Sequence, residues 1–126
     1  MEINQIVGIT AAIFGSTAII LGAFGAHALK KILTEDKLAS FETGVKYQMY
    51  SALALLCISM TMDFNKSSQS VAFYCISIGT VLFSGSIYGL SLASYLNKNL
   101  KFLGPITPLG GLLMIIGWVA IMVSYF

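Results

Sequence analysis

Ile3 to Leu29 reads INQIVGITAAIFGSTAIILGAFGAHAL, 27 consecutive residues without a charge. A helix needs about 20 apolar residues to cross the hydrocarbon core of a bilayer, and this stretch supplies more. Its apolar residues run continuously instead of alternating, which selects a helix over the strand of a membrane barrel. Three further uncharged windows follow: 16 residues from Tyr47 to Met62, 31 from Ser67 to Asn97, and 25 from Phe102 to Phe126. The second window is short, but Phe41, Val45 and Met49 extend it backwards at helical spacing. The spacing therefore predicts four spans, at 5–27, 45–63, 70–94 and 108–126, within a single unit covering 1–126. Ala26-His27-Ala28 looks like a signal-peptidase site. However, no Lys or Arg precedes the apolar region, which is also too long for a signal peptide, so the segment is read as the first span.

Composition agrees. The 126 residues include seven Lys, no Arg and five acidic residues, and 57% are hydrophobic. A soluble domain of this size has too little interior to hide that much apolar surface. The same apolar content excludes a disordered chain, and a net charge of +2, spread thinly with no basic face, excludes a nucleic-acid binder. Two Cys and one His are too few for a zinc cluster or a disulfide scaffold. The expected fold class is thus all-α: a polytopic membrane protein forming a four-transmembrane-helix antiparallel bundle.

Lysine placement orients the bundle. Lys30, Lys31, Lys37 and Lys46 precede or enter the second span, and Lys98 and Lys101 precede the fourth. Only Lys66 lies on the other side, so the positive-inside rule places six of the seven lysines in the cytoplasm. A plasma-membrane protein with both termini extracytoplasmic is expected.

The connection 30–46 is patterned. Leu38, Phe41 and Val45 take one helical face while Glu35, Asp36, Lys37, Ser40 and Glu42 take the other. Thr34 is a suitable N-cap, and Glu35 and Asp36 complement the helix dipole. One helix over 35–62 is expected, beginning as an amphipathic interfacial segment. The fourth helix is expected to start at Thr107-Pro108, with Thr as cap and Pro at the first helical position, and Pro105 should hold Gly104 out of helical geometry.

Small residues form stripes: Gly8, Ala11, Gly15, Ala18, Gly22 and Ala26 on the first helix, and Gly110, Gly117 and Ser124 on the fourth. Ser77, Thr80, Ser84, Tyr88 and Ser91 make a polar stripe on the third. Lipid gives helices no hydrophobic reason to associate; close approach and interhelical hydrogen bonds do so instead. The stripes are expected to pack a left-handed bundle in preference to lining a ligand groove. Cys57 and Cys75 are expected to be buried free thiols.

Four ordered segments carry a family resemblance: Gly22-Ala-Phe-Gly-Ala-His-Ala-Leu29, Phe41-Glu-Thr-Gly-Val-Lys-Tyr-Gln-Met-Tyr50, Phe83-Ser-Gly-Ser-Ile-Tyr88 and Leu103-Gly-Pro-Ile-Thr-Pro-Leu-Gly-Gly111. They resemble the domain-of-unknown-function family 423, an uncharacterised group of small bacterial membrane proteins with an animal transmembrane relative. The resemblance implies four spans and supplies no catalytic residues. In that family a His often follows the Tyr-Gln-x-aromatic run, whereas here Ser51 follows Tyr50.

The distinctive polar residues fall in the cytoplasmic half. His27, Glu42, Tyr47, Gln48, Ser84, Tyr88 and Thr107 form the candidate polar cluster, either as a site or as groups that cap helix ends and satisfy one another. Cofactors and metals are not expected, since one His and a distant Glu cannot hold zinc or haem. Nor is enzyme activity: Ser84 is near mid-span while His27 sits at the membrane edge. The expected role is that of a structural or interaction protein, meeting the lipid bilayer and a second copy or another membrane protein. The alternative is an oligomeric transporter or channel for a small solute, although no carboxylate lies in mid-membrane to serve one.

Overall fold

The computed structural model describes residues 1–126. It is all-helical, with four long helices: α1 (Ile3–His27), α2 (Glu35–Thr61), α3 (Ser67–Leu92) and α4 (Ile106–Val123). Short 3-10 turns at Leu29–Lys31 and Lys101–Leu103 tighten the two connections at the lysine-rich end. Each helix packs against the next in chain order, and α1 and α4 flank the central α2–α3 pair. Successive helices are antiparallel: Asn4 reaches Ser59 and Met62 at one end of the α1–α2 pair, while Gly25 meets Phe41 at the other.

Local signals act largely as the sequence specifies. Thr34 caps α2 by accepting from the Lys37 amide at 3.3 Å, and Glu35 and Asp36 occupy the first turn. The start of α4 differs from expectation. Pro105 is the N-cap, Ile106 is the first helical residue, and Thr107 and Pro108 lie inside the first turn. Pro108 is tolerated there because the first four amides of a helix have no intrahelical acceptor to lose. Gly104 takes right-handed helical geometry (φ −54°, ψ −52°), contrary to the effect expected of Pro105. Without a Cβ, it escapes much of the clash that proline imposes on the residue before it.

Three segments are long and apolar enough to cross a membrane: Ile3–Lys31, Ser67–Leu92 and Lys101–Val123. The exception is α2, whose 27 residues are long enough but include Lys46, Tyr47, Gln48, Tyr50 and Ser51. Gln48 and Ser51 are nevertheless buried, because α2 lies between α1 and α3. A helix shielded by protein can carry polar groups that lipid would not accept.

The closest packing is between α3 and α4. A Cβ at Gly110 would stand 2.4 Å from the Phe83 backbone nitrogen, and one at Gly79 would stand 2.8 Å from the Gly110 carbonyl oxygen. Gly117 lies equally tight against Ile76, with 2.5 Å to its Cγ1. On α1 the expected stripe faces α2 through Gly8, Gly15 and Gly22, but at 3.4–3.7 Å from side chains and not from backbone. Gly25 supersedes Ala26 at its end: Gly25 is buried on Phe41 while Ala26 is exposed. Val7, Ala11, Leu55, Ile58, Met62, Phe73 and Ile76 form the apolar core toward the end opposite the lysine-rich one.

Both cysteines are free, but Cys57 is exposed and Cys75 half-buried, so neither is the buried thiol expected. Cys57 faces the open groove between α2 and α4, which have no seam of their own.

Candidate functional site

The polar cluster is organised by Gln48, which is buried on α2. Its amide nitrogen donates to the Phe14 carbonyl at 2.9 Å and to the Thr17 hydroxyl at 2.6 Å. Its carbonyl oxygen accepts from the Tyr88 hydroxyl at 2.6 Å. One side chain thus joins α1, α2 and α3. Nearby, the Ser84 hydroxyl donates to the Gly44 carbonyl at 2.7 Å. Gly44 is what lets α3 come this close: a Cβ there would lie 2.7 Å from the Tyr88 ring. That ring also packs on Phe41, with centroids 4.9 Å apart. Every bond of this node is internal, which is how polar groups in a low-dielectric interior avoid the cost of going unpaired.

Gln48, Ser84 and Tyr88 therefore come together as the sequence suggested. The remaining candidates do not join them. Thr107 forms a separate node, its hydroxyl bonded to that of Ser86 across the α3–α4 seam. Tyr47 is exposed and packs edge-on against Phe83 at 5.2 Å and Tyr50 at 5.6 Å. His27 ends α1 and is exposed, and Glu42 lies on the exposed face of α2. His27 stands ten residues beyond Thr17 along α1, and Glu42 is turned outward, so neither reaches the Gln48 node.

Thr17 and the Phe14 carbonyl were missed. Thr17 also bonds the Ile13 carbonyl one turn back at 2.7 Å, an ordinary use of Thr in a helix that leaves no sequence signal of a second partner. Two further ties were missed at the opposite end. Asn4 donates to the Ser59 and Met62 carbonyls at 2.9 and 2.7 Å, and the Lys66 ammonium donates to the Ser124 carbonyl at 2.9 Å. Both satisfy orphan carbonyls at helix C-termini, where a cation is also favoured by the dipole.

Three cavities adjoin these elements. The largest, about 700 Å³, is the α2–α4 groove, lined mainly by apolar residues with Tyr47 and Tyr50 toward one end and Tyr125 at the other. A cleft of about 210 Å³ between α1 and α3 is lined by Thr17, Gln48, Thr80, Ser84 and Tyr88. A pocket of about 330 Å³ lies among α2, α3 and the start of α4. No group of three or more His, Cys, Asp or Glu is placed to hold a metal ion.

The model for the protein of unknown function family DUF423 matches residues 21–111. The UPF0382 membrane protein YwdK of Bacillus subtilis is 42% identical over 118 residues, covering 92% of both chains. A UPF0382 membrane protein of Schizosaccharomyces pombe is 37% identical over 114 residues, covering 90% of this chain and 95% of that one. The UPF0382 inner membrane protein YgdD of Escherichia coli is 38% identical over 120 residues, covering 92% of this chain and 86% of that one. No solved structure matches the chain. With near full-length relatives at this identity and the four polar and glycine-rich segments inside the matched region, the chain is an integral membrane protein of the DUF423 family, whose activity is unknown.

Proposed function

We propose that this protein is a four-span structural or interaction protein of the plasma membrane, with Gln48 and Tyr88 serving as an internal lock and not as a reaction site. The observation that carries this is the complete internal use of Gln48: both its donor and acceptor groups are spent on α1 and α3. No free acid, base or nucleophile converges there. The reading of α2 as the fourth span is supported by its contacts, which run along α1 from Asn4–Met62 to Gly25–Phe41. Six lysines then face the cytoplasm and both termini lie outside. The outward apolar faces of α1 and α4 are left for lipid, a second copy or another membrane protein.

Cross-linking the full chain in membranes, followed by mild-detergent purification, tests the role. A stable complex is expected, with another membrane protein or with itself; a solitary monomer at native expression would overturn the interaction reading. A reporter fused after Phe126 should behave as extracytoplasmic. The polar-lined cleft beside Gln48 supports a second reading, passage of a small neutral solute through an oligomer. Solute uptake by proteoliposomes would favour it, and its absence across a broad panel would exclude it.

A further inference from the structure

The pocket among α2, α3 and α4 has a chemistry that the Gln48 lock does not use. It is lined by Lys37 and Ser40 from α2, Ile87, Leu90 and Ser91 from α3, Gly104 just before α4, and Thr107 and Pro108 from its first turn. One lysine and several hydroxyl groups line it, and no carboxylate does. The first turn of α4, an 18-residue helix, presents the positive end of its dipole there. Ser91 is independent of that turn. It is 1% exposed, and its hydroxyl has no hydrogen-bond partner anywhere in the protein. Burying a hydroxyl unpaired costs about 1–3 kcal/mol, so an unpaired one lining a polar pocket marks a place for an external acceptor.

We propose that this pocket binds an anionic phosphoryl group, held by the Lys37 ammonium, the Ser40 and Ser91 hydroxyls and the first turn of α4. The ionised phosphoryl oxygens are acceptors, which matches the one cation and the hydroxyl donors in the lining. The sequence offers no phosphate-loop motif here, since Gly104–Gly111 lacks the Gly-Lys-Ser/Thr ending, and the two prolines at 105 and 108 remove backbone donors. Side chains from α2 and α3 therefore carry the recognition, with the dipole of α4 beside them. The pocket lies at the lysine-rich end of the helices, where a phospholipid headgroup and a phosphate ion from the cytoplasm could both arrive.

The test uses the full chain in two settings. In phosphatidylcholine nanodiscs doped with phosphatidylglycerol, native mass spectrometry reads lipid retention. In phosphate-free detergent, the ³¹P linewidth reads binding of inorganic phosphate. Retention of phosphatidylglycerol identifies a lipid source and broadening by phosphate a soluble one, and either supports the proposal. In the arm that binds, Lys37→Gln and Ser91→Ala should each weaken binding about tenfold, while Lys31→Gln at the same end leaves it unchanged. Ser91→Ala should not lower the thermal stability of the ligand-free protein, because its hydroxyl has no protein partner to lose. Absence of binding in both arms would overturn the proposal, as would equal weakening by Lys31→Gln. The lipid arm rests on the four-span reading. The phosphate arm does not, so a failure of topology and a failure of the pocket can be told apart.

Discussion

The α3–α4 seam and the α1–α2 seam both use glycine, but glycine acts differently in each. Between α3 and α4, Gly79 and Gly110 place backbone on backbone, with the Gly110 α-carbon against the Phe83 main chain. Between α1 and α2, Gly8, Gly15 and Gly22 only make room for side chains at ordinary contact distance. That pair is tied instead by hydrogen bonds, from Gln48 near the middle and Asn4 at one end. The difference reflects two ways of associating helices when water is absent. One maximises dispersion by close approach; the other gives up some closeness and gains polar bonds.

Gly110→Val should break the first seam outright. Its added carbons meet backbone nitrogen and carbonyl oxygen that cannot rotate away, so a loss of about 3 kcal/mol or more is expected in a detergent-unfolding titration. Gly117→Ala is expected to cost about 1–3 kcal/mol in the same assay, because part of its clash is with the movable Ile76 side chain. Gln48→Leu should loosen the second seam by about 1–2 kcal/mol, since it strands the Tyr88 hydroxyl while the Thr17 hydroxyl keeps the Ile13 carbonyl. Gly15→Ala, whose Cβ would sit 3.7 Å from that of Ala52, should change stability by less than about 0.5 kcal/mol. A large loss at Gly15, or none at Gly110, would erase the distinction between the seams.

The α3–α4 seam was legible in the sequence because Gly110, Gly117 and Ser124 recur every seven residues and all three are buried. The stripe on α1 was legible for the same reason, up to its end at Gly25. The extent of α2 was legible from the Thr34 cap and the amphipathic run behind it. What was not legible depends on how helices rotate and where their ends meet. His27 ends α1 ten residues beyond Thr17, the partner of Gln48, and Glu42 is turned to the exposed face of α2. Asn4 and Lys66 find carbonyls 55 to 58 residues away along the chain, contacts that exist only once the hairpins have closed. The first turn of α4 moved from Pro108 to Ile106 because more than one position in a first turn accepts proline.

The proposed role rests on Gln48 and Tyr88 acting together as a structural lock. A double-mutant cycle with Gln48→Leu and Tyr88→Phe, read as unfolding free energy in nanodiscs, tests it most directly. The two single losses are expected not to add, with a coupling of about 1 kcal/mol. Additive effects close to zero in a normally folded protein, accompanied by loss of a cellular phenotype, would contradict it and mark the pair as a site.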